Sequence, residues 1–294
     1  AVALLRDGTP AGLLWLDLFA RPGKAGGGWM DEYRSAEDRE RGIMPLVSIN
    51  MNLVPPRPGE PTLLEWDDAR VLFHEFGHAL NALCCEAPSP SLGILELNPD
   101  ILELPSTLNE RWLATPELLQ RFAVHHRTGA PMPEELIDTL EAVRTFDPSE
   151  GSTASLDYLA TAAVDLELHL AADGREVDPV QIERAVLARL DIPPAVDPLH
   201  RAAHFRHAFA GILDDRYAAG YYCYLWAEVL AADIAEAFAD APAGFYDRET
   251  AERYRAAILG AGNAVPAAQA FRDFRSRDPD PGALLRRLGI EAAG

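Results

Sequence analysis

Cysteine is scarce in this 294-residue chain, with only Cys84, Cys85 and Cys223. An odd number, two of them adjacent, does not read as a disulfide framework, and no C-x-x-C pair offers a thiolate metal site. A reducing compartment is the expectation. Long apolar runs are missing as well, so no segment reads as a bilayer-spanning helix. The first residues, AVALLRDG, carry neither the basic nor the apolar region of a signal peptide. These features together predict a cytoplasmic protein with no membrane partner. Basic residues are few, 26 against 46 acidic, for a formal charge of −20. Nucleic acid is thereby excluded as a partner, because its phosphates demand basic patches. The negative charge would attract basic peptides at long range, but solubility accounts for it without a partner. A nucleotide-binding P-loop is also absent, since RPGKAGGGW, residues 21–29, lacks the G-x-x-x-x-G-K-[ST] spacing.

What is present is an ordinary globular composition, 48% apolar, on a chain long enough for one large domain or two small ones. Residues 12–20, GLLWLDLFA, and 44–53, MPLVSINMNL, mix apolar and polar positions as half-buried strands do. After the Pro-rich VPPRPGEPT the pattern is helical. Helices are predicted near 65–86, 101–113, 115–127, 133–145, 153–173, 178–190, 216–240, 247–260, 265–274 and 281–288. Thr115-Pro116 and Asp178-Pro179 supply cap and first-turn residues. A small sheet placed before a mostly helical remainder predicts an α+β fold.

Chemistry enters with VLFHEFGHAL, residues 71–80. Four residues make slightly more than one helical turn, so His74 and His78 project from one face and can share a metal ion. Glu75 lies about 100° around the helix, where it can reach a water beside that ion rather than the ion itself. This is the mechanical content of H-E-x-x-H: two zinc ligands and a general base. A chance match needs no helix around it, but here Leu72, Phe73, Phe76, Leu80 and Leu83 recur at helical intervals. A catalytic zinc needs a third protein ligand. Glu86, Glu96, Asp100, Glu103 and Glu110 all lie downstream, and spacing does not choose among them.

FHEFGHALN followed by DILELPS, residues 100–106, resembles the thimet oligopeptidase family of zinc metallopeptidases. Other segments resemble that family in the same order: 12–34, 44–56, FRHAFAG at 205–211, YAAGYYCYLWAEVLAADIAEAF at 217–238, and 271–290. The resemblance implies a zincin-like catalytic domain, one Zn²⁺ per chain, and Glu103 as third ligand beside His74 and His78. It also implies short peptides as substrates, with Glu75 activating water. Family members are much longer, so residues 1–294 are expected to be the C-terminal catalytic portion. The surface that normally meets the N-terminal helical half would then be open to self-association. Endopeptidase and dipeptidyl carboxypeptidase activity both occur in the family, and the motif does not separate them. A zinc-binding but poorly active fragment, or an interaction module, are the remaining alternatives.

A second constellation lies in residues 204–230. Tyr217, Tyr221 and Tyr224 recur at i, i+4 and i+7, the spacing of one helix face, with Tyr222 and Trp226 as a second stripe. Read alone, a tyrosine stripe is core packing with satisfied hydroxyls. The resemblance gives these tyrosines, and His207 of F-x-H-x-F, a role in binding the substrate backbone and its oxyanion. AGILDDRY replaces the family's shorter Gly-rich loop before Tyr217, so the cleft is expected to differ there in shape and charge. Arg206 and Arg216 are candidates to receive a free C-terminal carboxylate. Asp100 is a candidate acceptor for a ligand imidazole, and the strand at 44–53 a candidate edge for pairing with substrate. His125, His126, His169 and His200 read as structural or solvated, and His204 stays ambiguous one turn before His207.

Overall fold

The computed structural model describes residues 1–6, 8–35, 43–146, 156–171, 176–193, 195, 200–209 and 217–290. Four strands come first: β1 (Val2–Arg6), β2 (Thr9–Phe19), β3 (Trp29–Arg34) and β4 (Leu46–Leu53). They form one sheet in the order β1-β2-β4-β3. β2 and β4 are parallel, and the other two pairings are antiparallel. Two of these strands were expected from the sequence and two were not. The expectation that 44–53 is an edge is corrected: β4 lies inside the sheet, and β3 is the edge beside it.

The loop between β2 and β3 explains the order. The Lys24 side chain is 2% exposed. Its ammonium donates to the carbonyls of Asp17 at 2.7 Å, Phe19 at 3.1 Å and Met51. Asn52 donates from the β4 side to Ala25 O at 2.7 Å and Gly27 O at 2.8 Å. The loop is thus fastened across the end of β4, and β3 emerges on its far side. Interior placement also removes the alternation expected of a half-exposed strand. Val47, Ile49 and Met51 are buried on one face, and Ser48 and Asn50 on the other. Those two polar side chains are satisfied mutually, Asn50 Nδ2 to Ser48 Oγ at 2.8 Å, as buried polar groups must be.

Twelve α-helices follow among the described residues: α1 (Trp66–Cys84), α2 (Pro99–Leu102), α3 (Leu104–Leu113), α4 (Pro116–Phe122), α5 (Glu134–Phe146), α6 (Leu156–Ala171), α7 (Pro179–Arg189), α8 (Arg206–Phe209), α9 (Cys223–Ala239), α10 (Arg248–Tyr254), α11 (Ala267–Arg275) and α12 (Gly282–Arg287). The α+β expectation holds. None is long and apolar enough to cross a membrane. α1 lies on the sheet, where Ala79, Ala82 and Leu83 meet Leu14, Val47, Ile49 and Met51. Its other side meets α3, which packs in turn on α9, and Leu104, Leu108, Ile234 and Phe238 share one core with Tyr254 of α10 and Phe271 of α11. Leu104 and Leu108 are at most 1% exposed, and each such side chain contributes about 1.5–3 kcal/mol. α1 is therefore held between the sheet and the helical layer.

Two helix boundaries differ from the sequence reading in ways that matter. The segment expected as one helix at 101–113 breaks at Glu103, and the one expected at 216–240 begins only at Cys223. Pro105 accounts for the first. It has no N–H for the carbonyl of Ile101, and its ring would collide there in a continuous helix.

Candidate active site

α1 starts at a capping box, in which the Glu65 N–H donates to Asp68 Oδ2 at 3.1 Å. Its helical period puts His74 and His78 side by side, ring centroids 5.1 Å apart and edge to face. Glu103 reaches them because α1 and α3 come unusually close. The enabling residue is Gly77, between the two histidines. A Cβ there would lie 2.4 Å from Pro105 O and 2.6 Å from Ser106 Cα. With no side chain at 77, Glu103 Oε2 comes to 3.3 Å from His74 Nε2 and 3.2 Å from His78 Nε2. These three donors all lie within 4.8 Å of one another. Two imidazole nitrogens and a carboxylate oxygen are a zinc donor set that leaves positions open, so the residues fit the metal that the sequence implied.

Two of the three ligand candidates are themselves held by further partners. The carboxylate of Glu103, 2% exposed, accepts from Ser106 Oγ at 3.0 Å and from the Tyr217 hydroxyl at 2.7 Å. His74 Nδ1 lies 2.7 Å from Glu110 Oε1, and Glu110 Oε2 lies 3.3 Å from Arg70 Nη1. Glu110 therefore meets the ring on the side away from the converging nitrogens, where an outer carboxylate fixes tautomer and orientation. The sequence reading named Asp100 as a candidate for that place. Asp100 instead accepts from the Tyr222 hydroxyl at 2.6 Å, which pushes that phenol up to about 12. The spacing of Glu103 and Glu110, two helical turns, could have pointed to the shared face.

The electrostatics follow from burial and charge. Burial alone would favour a neutral His74, but the hydrogen bonds to Glu103 and Glu110 outweigh it and push the ring up to about 10. Burial likewise opposes charge on Glu103, yet His78 and His74 hold its carboxyl well below the usual range. Bringing a dication to the Nε2 side would displace the proton that now satisfies this site. Glu75 differs. Burial raises its pKa, with only partial opposition from the two histidines. A carboxylate of raised pKa is suited to taking up a proton and returning it.

The cleft in front of these groups has a volume of about 350 Å³. Gly28, Trp29 and Met30 from the start of β3 form one wall. His207, Tyr217 and Tyr224 line the cleft as well. Gly28 stands directly over Glu75, since a Cβ on it would lie 3.4 Å from Glu75 Oε1. Lys24 and Asn52, which set that wall, had no recognisable signal in the sequence. Asn81 also lines the cleft and donates to Leu259 O at 3.1 Å, anchoring α1 to the turn after α10.

The tyrosines meet, but not as a helix face. Residues 217–222 form tight turns, with Gly220 N–H donating to Tyr217 O and Cys223 N–H to Gly220 O, both at 3.0 Å. Ala219 has φ of 54°, which ends any helical path. Tyr217 and Tyr224 nevertheless stack, centroids 5.6 Å apart and 6° from parallel. His207 packs 4.1 Å from the Tyr217 ring, and its Nε2 lies 2.9 Å from the Tyr224 hydroxyl. Burial, then the charge of Glu103, hold the Tyr217 phenol protonated far above its ordinary range, so it acts as a donor. Tyr221 is turned away from the cleft and packs on Tyr158 and Phe205. His125, His126 and His204 are exposed, His200 stacks on Phe205, and His169 contacts Asp165. Residues 210–216, including Arg216, and the side chain of Arg206 lie outside the described residues.

Comparison with known proteins identifies the family of the chain. The model of Peptidase family M3 matches residues 5–290. The chain is 33% identical to a dipeptidyl carboxypeptidase of Escherichia coli strain K12, over 97% of its own length and 40% of that protein. It is 35% identical to oligopeptidase A of the same strain, over 95% and 40%. It is 36% identical to the organellar oligopeptidase A of Arabidopsis thaliana, over 98% and 37%. The chain thus spans about two fifths of the length of these relatives. A solved structure described as a putative oligoendopeptidase F shares the fold, with a TM-score of 0.57 at 20% identity over 93% of this chain and 42% of that one. With the motif residues converging as described and the family match running almost from end to end, the chain belongs to peptidase family M3.

Proposed function

We propose that this chain hydrolyses peptide bonds in short peptides with one Zn²⁺ held by His74, His78 and Glu103. The observation that carries the reading is the approach of Glu103 Oε2 to both His Nε2 atoms, at 3.3 and 3.2 Å, with Glu75 buried beside them. Bound there, zinc supplies Lewis acidity, making water a stronger acid and a peptide carbonyl a better electrophile. Glu75 takes the proton from the attacking water and delivers it to the leaving amine. His207, Tyr217 and Tyr224 present N–H and O–H groups to the oxygen that becomes negative. An extended substrate pairs its backbone with the outer edge of β3, which runs from the cleft wall. The odd cysteine count favours a reducing compartment such as the cytoplasm.

Relatives named for oligopeptidase and for dipeptidyl carboxypeptidase activity are about equally similar. Product masses from one short peptide with a free or a blocked C-terminus separate the two. Internal cleavage of both forms identifies an endopeptidase. Loss of C-terminal dipeptides only from the free form identifies a dipeptidyl carboxypeptidase. A zinc-loaded chain that cleaves neither refutes the proposal.

A further inference from the structure

Asp165 is a buried carboxylate that the proposed mechanism does not use. It sits in the middle of α6, 1% exposed, away from the cleft lining. Its two oxygens face the turn that carries the tyrosines. Oδ1 accepts from the Ala219 N–H at 3.1 Å, and Oδ2 from the Tyr221 N–H at 3.1 Å. His169 Nδ1 lies 3.0 Å from Oδ1. Tyr158 stands two turns earlier on the same helix, and its hydroxyl donates to Tyr221 O. Both backbone groups of Tyr221 are therefore held by α6. Between them and Tyr217 lies Ala219, whose φ of 54° is a conformation that residues other than glycine keep only when their surroundings impose it.

The consequence is felt at the cleft. Tyr217 begins the same turn, and its hydroxyl reaches Glu103 Oε1 at 2.7 Å while its ring stacks against His207 and Tyr224. We propose that Asp165 is a positioning residue of this peptidase, fixing turn 217–222 so that Tyr217 is presented to Glu103 and to substrate. Both backbone N–H groups that its side chain accepts belong to the turn, the Ala219 N–H being shared with His169 Nδ1 at 3.2 Å, and Tyr217 is the residue of 217–222 that lines the cleft, so the proposed influence runs through the turn to Tyr217. This inference rests on the peptidase reading for its kinetic consequence, but not for its structural one.

Hydrogen exchange by mass spectrometry tests the structural part without any turnover. In Asp165→Asn, one acceptor becomes an NH₂ group facing a backbone N–H. Exchange across 217–222 should rise about tenfold or more, as for a locally freed segment, while 66–84 and 104–113 exchange as before. Zinc stoichiometry should be unchanged. Cleavage of a short peptide should fall about 10–100-fold in kcat/KM, the range expected for a misplaced group. In the Tyr217→Phe background the same change should cost about threefold or less, because the two residues act as one unit. Tyr158→Phe, which removes only a hydroxyl, should show the same pattern at smaller amplitude and serves if Asp165→Asn does not fold. Unchanged exchange at 217–222 overturns the proposal. So does a rise spread evenly over the chain, or an equal kinetic loss in both backgrounds. If the zinc-loaded wild type cleaves nothing, the peptidase reading fails and the exchange result alone decides whether Asp165 holds the turn.

Discussion

Gly77→Ala tests whether helix approach assembles the metal site. A Cβ at 77 would sit 2.4 Å from Pro105 O, whereas ordinary contacts begin at 3.4 Å, so α3 must retreat by about 1 Å. Glu103 is anchored at the start of α3 and must retreat with it. Zinc sites tolerate about 0.2 Å in ligand distance, so a shift of that size withdraws Glu103 from the donor set. Stability responds differently. Alanine in place of glycine favours the helix by about 1 kcal/mol, and overpacking costs about 1–3 kcal/mol, so the net loss is about 0–2 kcal/mol. Zinc affinity should fall at least about 100-fold, since losing even an outer partner of a ligand costs about 10–100-fold. Competition against a chromophoric chelator measures the affinity, and thermal unfolding of the metal-free chain measures stability. An alanine variant that binds zinc as tightly as wild type would show that close approach at Gly77 is not what brings Glu103 to the histidines.

Three further outcomes follow from the same geometry. Glu75→Gln should keep its zinc, because the side chain does not join the converging donors, while peptide cleavage falls by about 10²–10⁴; elemental analysis beside a cleavage assay checks both, and full activity removes Glu75 from the mechanism. Glu110→Gln should weaken zinc binding or activity about 10–100-fold through His74, with little change in Tm; chelator competition reads it, and wild-type affinity and rate would reject Glu110 as the orienting group. Asp233 is fully buried and binds Arg275 Nε at 2.6 Å, Arg277 Nη2 at 2.7 Å and the Asp280 N–H at 2.7 Å, tying the C-terminal segment to α9. Asp233→Ala should destabilise the chain by about 3 kcal/mol, the low end for a broken buried pair because Arg277 is 40% exposed, and denaturant unfolding measures it.

Local periodicity determined the heart of this site. A helix of 3.6 residues per turn places His74 and His78 on one face whatever surrounds it, so the two imidazoles and the neighbouring Glu75 were legible in ten residues. The proposed third ligand was not legible from spacing, because a chain can loop back from Glu86, Glu96, Asp100, Glu103 or Glu110 equally well. The family resemblance named Glu103. Tertiary structure supplies the reason, through the break imposed by Pro105 and the bare helix surface at Gly77. It also reassigned Glu110 and Asp100, since which carboxylate meets the far side of a ring depends on how two helices cross. The tyrosine stripe shows the converse case. Its i, i+4, i+7 spacing suggested a helix, yet the segment runs as a turn whose Ala219 and Tyr221 N–H groups donate to Asp165, a partner the local sequence does not contain. Sheet order was beyond reach for the same reason. Alternation marks a strand but not its neighbours, and β4 became interior because Lys24 and Asn52 carry the chain past it. Sequence alone determined the elements whose geometry repeats within a few residues. Only the folded chain decided the contacts between residues far apart in sequence, because those energies exist only once the helices and the sheet have met.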